Sequence, residues 1–218
     1  MPAPSIDLAR EAKPLSCCGI DILRWLVETG KPGTVLEVGT WHGGSAIALM
    51  ALVPGPKHFL VTVDPYGNCP YHNDQPIEDY GDEAQRRAMC EVGAAALRHS
   101  VNWHHLKMTS QEFIEVAYVQ NLHPWYAGEQ REYVFDTVFL DGRHDWPAVH
   151  AELSGIRLRP RGIMFIDNVN HEQCDGRIVD DQHPDGFAEE LIKAAHNLGF
   201  NIELRRFGSD LVARLSLT

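Results

Sequence analysis

The chain has 218 residues, 44% hydrophobic and 22% charged, enough apolar sequence for one sizeable core and for a single domain spanning 1–218. Its 19 Lys and Arg stand against 30 Asp and Glu, a formal charge of −11, which disfavours a polyanion groove and a polybasic membrane anchor. Met1–Pro14 has no apolar run behind a basic start, and no stretch reaches the ~18–20 apolar residues of a membrane span, so a cytoplasmic protein is expected.

Strand and helix signals alternate along the chain, without repeats or low-complexity tracts. Within an N-terminal helical segment, 1–30, Cys18–Thr29 reads as a helix laid over a sheet. Thr34–Val38 is β-rich and runs into glycine, and Gly43–Leu52, with its Ser-Ala-Ile-Ala-Leu-Met core, is helical. Phe59–Val63 is a strand ended by Asp64-Pro65. Then come a helix over Asp82–His99, a strand over Val101–Leu106 and a helix over Ser110–Val119. Val134–Leu140 is a buried strand, Pro147–Ile156 a helix with proline in its first turn, and Gly162–Ile166 another strand. Gly186–Asn197 is helical; Phe200–Phe207 and Leu211–Leu217 flank Gly208-Ser209-Asp210 with the spacing of a hairpin.

The sum is an α/β, Rossmann-like, seven-stranded, mostly parallel sheet with helices on both faces, closed by a C-terminal antiparallel hairpin. Such sheets bind ligands beyond their carboxyl ends, so the residues after Val38, Val63, Leu106, Leu140 and Ile166 should converge. Two long aromatic loops, 65–81 and 121–132, read as a substrate lid beside that edge.

Glu37-Val-Gly39-Thr-Trp41-His-Gly43-Gly-Ser45 lies between the first strand and its helix, where glycine admits a ligand and the helix start presents free N–H groups. A dinucleotide fingerprint needs glycine where Trp41 stands, and no Gly-Lys-Ser or Gly-Lys-Thr follows as in a phosphate loop. The remaining pattern, E-x-G-x-x-x-G, resembles the first motif of class I S-adenosylmethionine methyltransferases. Glu37, Gly39, Trp41, Gly43 and Ser45 are therefore cofactor-site candidates. Asp64, at the next strand end, offers a carboxylate where a ribose would lie; the plainer reading is an Asx-Pro turn.

Val35–Met50, Met108–Ile114, Val138–Asp141 and Met164–Val169 follow one another in the order and spacing of the metal-dependent catechol O-methyltransferase group, which the chain resembles. Asp141-Gly-Arg-His144-Asp-Trp-Pro-Ala-Val149 is closer to the D-G-x-H-x-[YW]-x-x-V of macrocin-type O-methyltransferases. The resemblance implies that Ser110 and Gln111 lie against the adenine, although Ser110 also suits a helix N-cap. It implies too that Asp141, Asp167 and Asn168 hold the catalytic metal, Asp141 serving cofactor and catalysis as well. Two strand-end carboxylates and an amide carbonyl form an all-oxygen set suited to Mg²⁺ or another divalent cation such as Mn²⁺, although Asp and Asn also commonly end strands.

His144 stands three residues after Asp141, where catechol-type enzymes place a lysine base. A neutral imidazole, with an ordinary pKa of about 6.5, could take a hydroxyl proton, or could instead hydrogen-bond a ligand such as Asp141 or its neighbour Asp145. The expected activity is S-adenosylmethionine- and divalent-metal-dependent O-methylation of a small molecule with adjacent hydroxyls, phenolic or sugar-like. Metal-independent N- or O-methylation and a non-catalytic cofactor-binding protein remain alternatives, and self-association is left open. Five cysteines, Cys17, Cys18, Cys69, Cys90 and Cys174, lack a C-x-x-C spacing and read as free thiols; the adjacent Cys17-Cys18 pair reads as packing at a helix start.

Overall fold

A computed structural model describes residues 7–16, 18–66, 81–119, 133–142, 145–170, 173–174, 177–178 and 187–217. Helices α1 (Asp7–Ala12) and α2 (Ile20–Thr29) precede β1 (Val35–Val38), α3 (Gly44–Leu49) and β2 (Leu60–Val63). After α4 (Asp82–His99) come β3 (Trp103–Leu106), α5 (Ser110–Ile114), β4 (Phe135–Leu140), α6 (Trp146–Gly155) and β5 (Leu158–Ile166). Two-residue strands β6 (Gln173–Cys174) and β7 (Arg177–Ile178) form a separate ribbon, followed by α7 (Ala188–Asn197), β8 (Phe200–Phe207) and β9 (Asp210–Leu217).

The main sheet has the order β3-β2-β1-β4-β5-β9-β8, parallel through β5 and antiparallel at β5–β9 and β9–β8. The α/β fold with its hairpin is thus as expected. Every residue of β1, β2 and β4 is buried, as strands covered on both faces require, the polar Glu37, Thr62, Asp136 and Thr137 included.

Register divides the core. Leu36, Val61, Val138 and Met164 share one face with Val38, Val63, Leu140 and Ile166, and pack against α5, α6 and α7 through Phe113, Leu153 and Leu191. Val35, Leu60, Phe139 and Phe165 line the other face beneath α1–α4. There α2 buries Ile22, Leu23, Trp25 and Leu26, and Trp25 meets Phe165 edge-on with ring centroids 5.3 Å apart.

Several boundaries differ from the sequence reading. The short helix α1 is additional, docked on α3. The helix after the glycine turn ends at Leu49 and tightens into a 3-10 turn, Met50–Leu52, while α5 widens into a π-turn over Glu115–Val119. Strand β5 starts at Leu158, four residues early, because its polar stretch before Gly162 is exposed and pairs only irregularly with β4. Of the expected lid, residues 67–80 and 121–132 lie outside the described residues. Among the described residues no helix is long and apolar enough to cross a membrane.

Candidate functional site

Main-chain bonds stitch the carboxyl edge together. Gly39 N–H donates to Val63 O (2.9 Å), Asp64 N–H to Leu106 O (3.0 Å), Asp141 N–H to Val38 O (2.8 Å) and Asp167 N–H to Leu140 O (3.0 Å). Each bond carries the residue just past one strand across to its neighbour, so the strand-end residues singled out in the sequence do converge there.

Gly39 has φ +88°, and a Cβ there would overlap the main-chain carbonyl of Asp141. Only glycine lets the turn after β1 lie against the turn after β4. Gly43, at φ +87°, caps α3 where a side chain would run into Val92 of α4. Ser45 is buried in the first turn of α3. Trp41 adopts φ +43° and packs on Tyr66 and α4 residues.

Asp64 holds this turn. Its Oδ2 accepts from Thr40 N–H (2.8 Å) and Trp41 N–H (2.9 Å), and Oδ1 accepts from Tyr66 N–H (2.7 Å), all in a fully buried place. This carboxylate, expected to meet a ribose, accepts from the main chain that shapes the glycine turn. Tyr66 returns its hydroxyl to Trp41 O (3.1 Å), and burial, with the charges of Asp64 and Glu37, keeps that phenol protonated.

Glu37 is fully buried on the sheet face that carries Thr62. Thr62 Oγ1 accepts from the Trp103 indole N–H (3.1 Å) and shares a hydrogen bond with His105 Nδ1, 2.9 Å away. Burial, aided by Lys107 and opposed by Asp64, drives His105 down to about 4, so the ring is neutral.

Beyond β3 the N-cap of α5 is Thr109, not Ser110. Thr109 Oγ1 accepts from Glu112 N–H (3.1 Å) and the Glu112 carboxylate accepts from Thr109 N–H (2.7 Å), a reciprocal capping box. Ser110, one position later, hydrogen-bonds Glu152 of α6, a carboxyl that burial pushes up to about 7 against the lowering effect of that bond. Gln111 is exposed on the first turn of α5.

The carboxylates after β4 and β5 come together as expected. Asn168, at φ +52°, donates its amide to Asp167 Oδ2 (3.2 Å). Cys18, buried just before α2, joins them: its Sγ lies 3.4 Å from Asp141 Oδ2 and 3.6 Å from Asp167 Oδ2. Ligand atoms of Cys18, Asp141 and Asp167 lie within 4.8 Å of one another. Burial, with the like charge of Asp210, raises Asp167 to about 6 against the bonds it receives. Two carboxylates this close, Asp167 buried and held towards its neutral form and Asp141 half-buried, are stabilised by a cation, and this donor set fits a divalent one. His144, the expected base, lies outside the described residues, as does Arg143.

A family model described as a methyltransferase domain matches residues 36–169, the stretch from β1 to the residues just after β5. The chain belongs to that methyltransferase family. Its class I methyltransferase fold recurs in the O-methyltransferase of Bacillus cereus solved with S-adenosylhomocysteine: 16% identity, 97% of this chain and 88% of that one covered, TM-score 0.57. It recurs in TomG of Streptomyces achromogenes, an O-methyltransferase of tomaymycin synthesis solved with S-adenosylmethionine: 19% identity, 98% and 89% covered, TM-score 0.57. The methyltransferase PaMTH1 of Podospora anserina, bound to S-adenosylhomocysteine, gives 17% identity, 100% and 89% covered, TM-score 0.58. No curated protein matches the sequence. Two residues that the structure brings against the expected site residues were not marked by the sequence: Cys18, beside Asp141 and Asp167, which no metal-ligand spacing marks, and Glu152, a buried helix position bonded to Ser110.

Proposed function

We propose that the protein is an S-adenosylmethionine-dependent O-methyltransferase acting on a small molecule with adjacent hydroxyls, phenolic or sugar-like, with a divalent cation held by Asp141, Asp167 and Asn168. The convergence of Asp141 and Asp167 from adjoining strand ends carries this reading, because paired carboxylates there suit a cation far better than a neutral acceptor alone. A bound cation supplies Lewis acidity, lowering the pKa of an acceptor hydroxyl and fixing its orientation.

The chain's own residues supply the rest. Gly39 and Gly43 let the turn after β1 pack closely against its neighbours, the cofactor is assigned to this turn, and Asp64 keeps it in shape. Gln111, exposed at the start of α5, is assigned to meet the adenine, with Ser110 beside it tied to Glu152. Methyl transfer needs in-line positioning and an ionised oxygen, and His144 is assigned to receive the hydroxyl proton. The net charge of −11 suits a small acceptor over a polyanion, and the structural relatives from Bacillus cereus and Streptomyces achromogenes carry oxygen-directed names.

The test is release of S-adenosylhomocysteine from S-adenosylmethionine and catechol-type acceptors before and after exhaustive chelation. Turnover should vanish with chelator and return with an added divalent cation, while cofactor binding measured by calorimetry persists. Full turnover in the chelated enzyme would exclude the metal and favour metal-independent transfer.

A further inference from the structure

The sequence offers an all-oxygen site, yet a sulfur enters it. The Cys18 thiol reaches the cluster from the segment before α2, while Asp141 follows β4 and Asp167 follows β5, so three separate elements aim donor atoms at one point. Its sulfur stands 3.4 and 3.6 Å from one oxygen of each carboxylate. Ligands bound at about 2.3 Å through sulfur and about 2.0–2.2 Å through oxygen to one tetrahedral-to-octahedral centre are separated by about 3.1–3.6 Å.

The thiol is also fixed in place. Cys18 is 5% exposed, and its N–H donates to Ser16 Oγ (3.1 Å). Ser16 itself lies against Gly44, where a Cβ would overlap it, so the cysteine segment is seated on the first turn of α3, beside the glycine turn. Mg²⁺ demands oxygen donors in octahedral array, whereas thiolate favours borderline cations such as Zn²⁺ and Co²⁺.

We propose that Cys18 is a third protein ligand of the cation held by Asp141 and Asp167, and that it turns the site towards a thiophilic divalent cation in preference to Mg²⁺. The inference rests on the reading of this cluster as a metal site. Binding releases the thiol proton to solvent and leaves a sulfur–metal bond, with no change of oxidation state.

The experiment titrates the full chain with Co²⁺ and follows the near-ultraviolet sulfur-to-cobalt charge-transfer band, with calorimetry for Co²⁺, Zn²⁺ and Mg²⁺ alongside. A band should grow in with one equivalent of Co²⁺, disappear on adding Zn²⁺ and resist Mg²⁺. It should persist in a chain with Cys17, Cys69, Cys90 and Cys174 all replaced by serine. Cys18→Ser should abolish the band and weaken Co²⁺ binding about 10–100-fold or more while leaving Mg²⁺ affinity within about twofold. The unsubstituted chain decides the matter even if that variant folds poorly. Co²⁺ bound at the carboxylates without a sulfur band overturns the role of Cys18 and leaves the metal reading standing. Failure of every divalent cation to bind, with or without S-adenosylmethionine, overturns both.

Discussion

Replacing Asp64 by asparagine separates a residue that shapes the cofactor turn from one that grips the cofactor. The carboxylate accepts three main-chain N–H groups, from Thr40, Trp41 and Tyr66, in a fully buried setting. Asparagine keeps the shape but has one acceptor oxygen, which can serve the Thr40–Trp41 pair while its NH₂ faces the Tyr66 N–H. Loss of charge assistance costs about 1 kcal/mol on each retained bond, and an orphaned buried N–H about 1–3 kcal/mol. Relief from burying a charge offsets part of this, leaving a loss of roughly 3 kcal/mol, which lowers Tm by about 6–12 °C in a domain of this size. Thermal unfolding of the cofactor-free protein measures that term, and calorimetry with S-adenosylmethionine should show affinity reduced about tenfold as the turn relaxes. A variant that melts with the wild type yet loses the cofactor would refute the reasoning and return Asp64 to the ribose.

Three of the remaining expectations use the same instruments. Glu152 is raised from its ordinary 4.5 to about 7, so as pH climbs from 4.5 to 7 the unfolded chain sheds a proton that the folded one keeps; stability falls across that window by about 3 kcal/mol and then levels. Glu152→Gln should flatten that slope and raise Tm above pH 7, and an unchanged slope in the difference between the two proteins would acquit Glu152. Gly39→Ala should cut cofactor affinity at least tenfold, because it adds a clash with Asp141 to left-handed strain, whereas Gly55→Ala, at φ +81° with open space around it, should keep wild-type affinity in the same titration. Exhaustive chelation should abolish turnover and an added divalent cation restore it, while S-adenosylmethionine affinity in the same titration stays unchanged.

Most of the fold was legible because its strands are short, apolar and bounded by punctuating residues. Val35–Val38 ends in Gly39, Leu60–Val63 in Asp64-Pro65, and the helix read over Asp82–His99 has those limits in the structure, with Asp and Glu in its first turn and Arg and His in its last. What escaped depended on tertiary context. The helix α1 has only six residues, too few to announce themselves by periodicity, and is held by α3. At Thr109-Ser110 both residues are capping types, and only the reciprocal bond with Glu112 chooses the first, freeing Ser110 to turn towards α6.

The site follows the same division between local and distant information. Asp141, Asp167 and Asn168 were readable because each stands where a buried apolar run stops, so sequence position fixes spatial position once the strands are parallel neighbours. Cys18 has no such anchor: it lies 123 residues from Asp141 and 149 from Asp167, and its arrival depends on the apolar stripe of α2 docking over Phe165. That stripe, Ile22, Leu23, Trp25 and Leu26, sets the direction from which the chain enters the helix, and the entry point lies over the ends of β4 and β5. A vicinal cysteine pair at a helix start therefore gives no sign of chemistry by itself. Its meaning comes from which sheet edge the following helix covers, and here that edge is the one where two carboxylates meet.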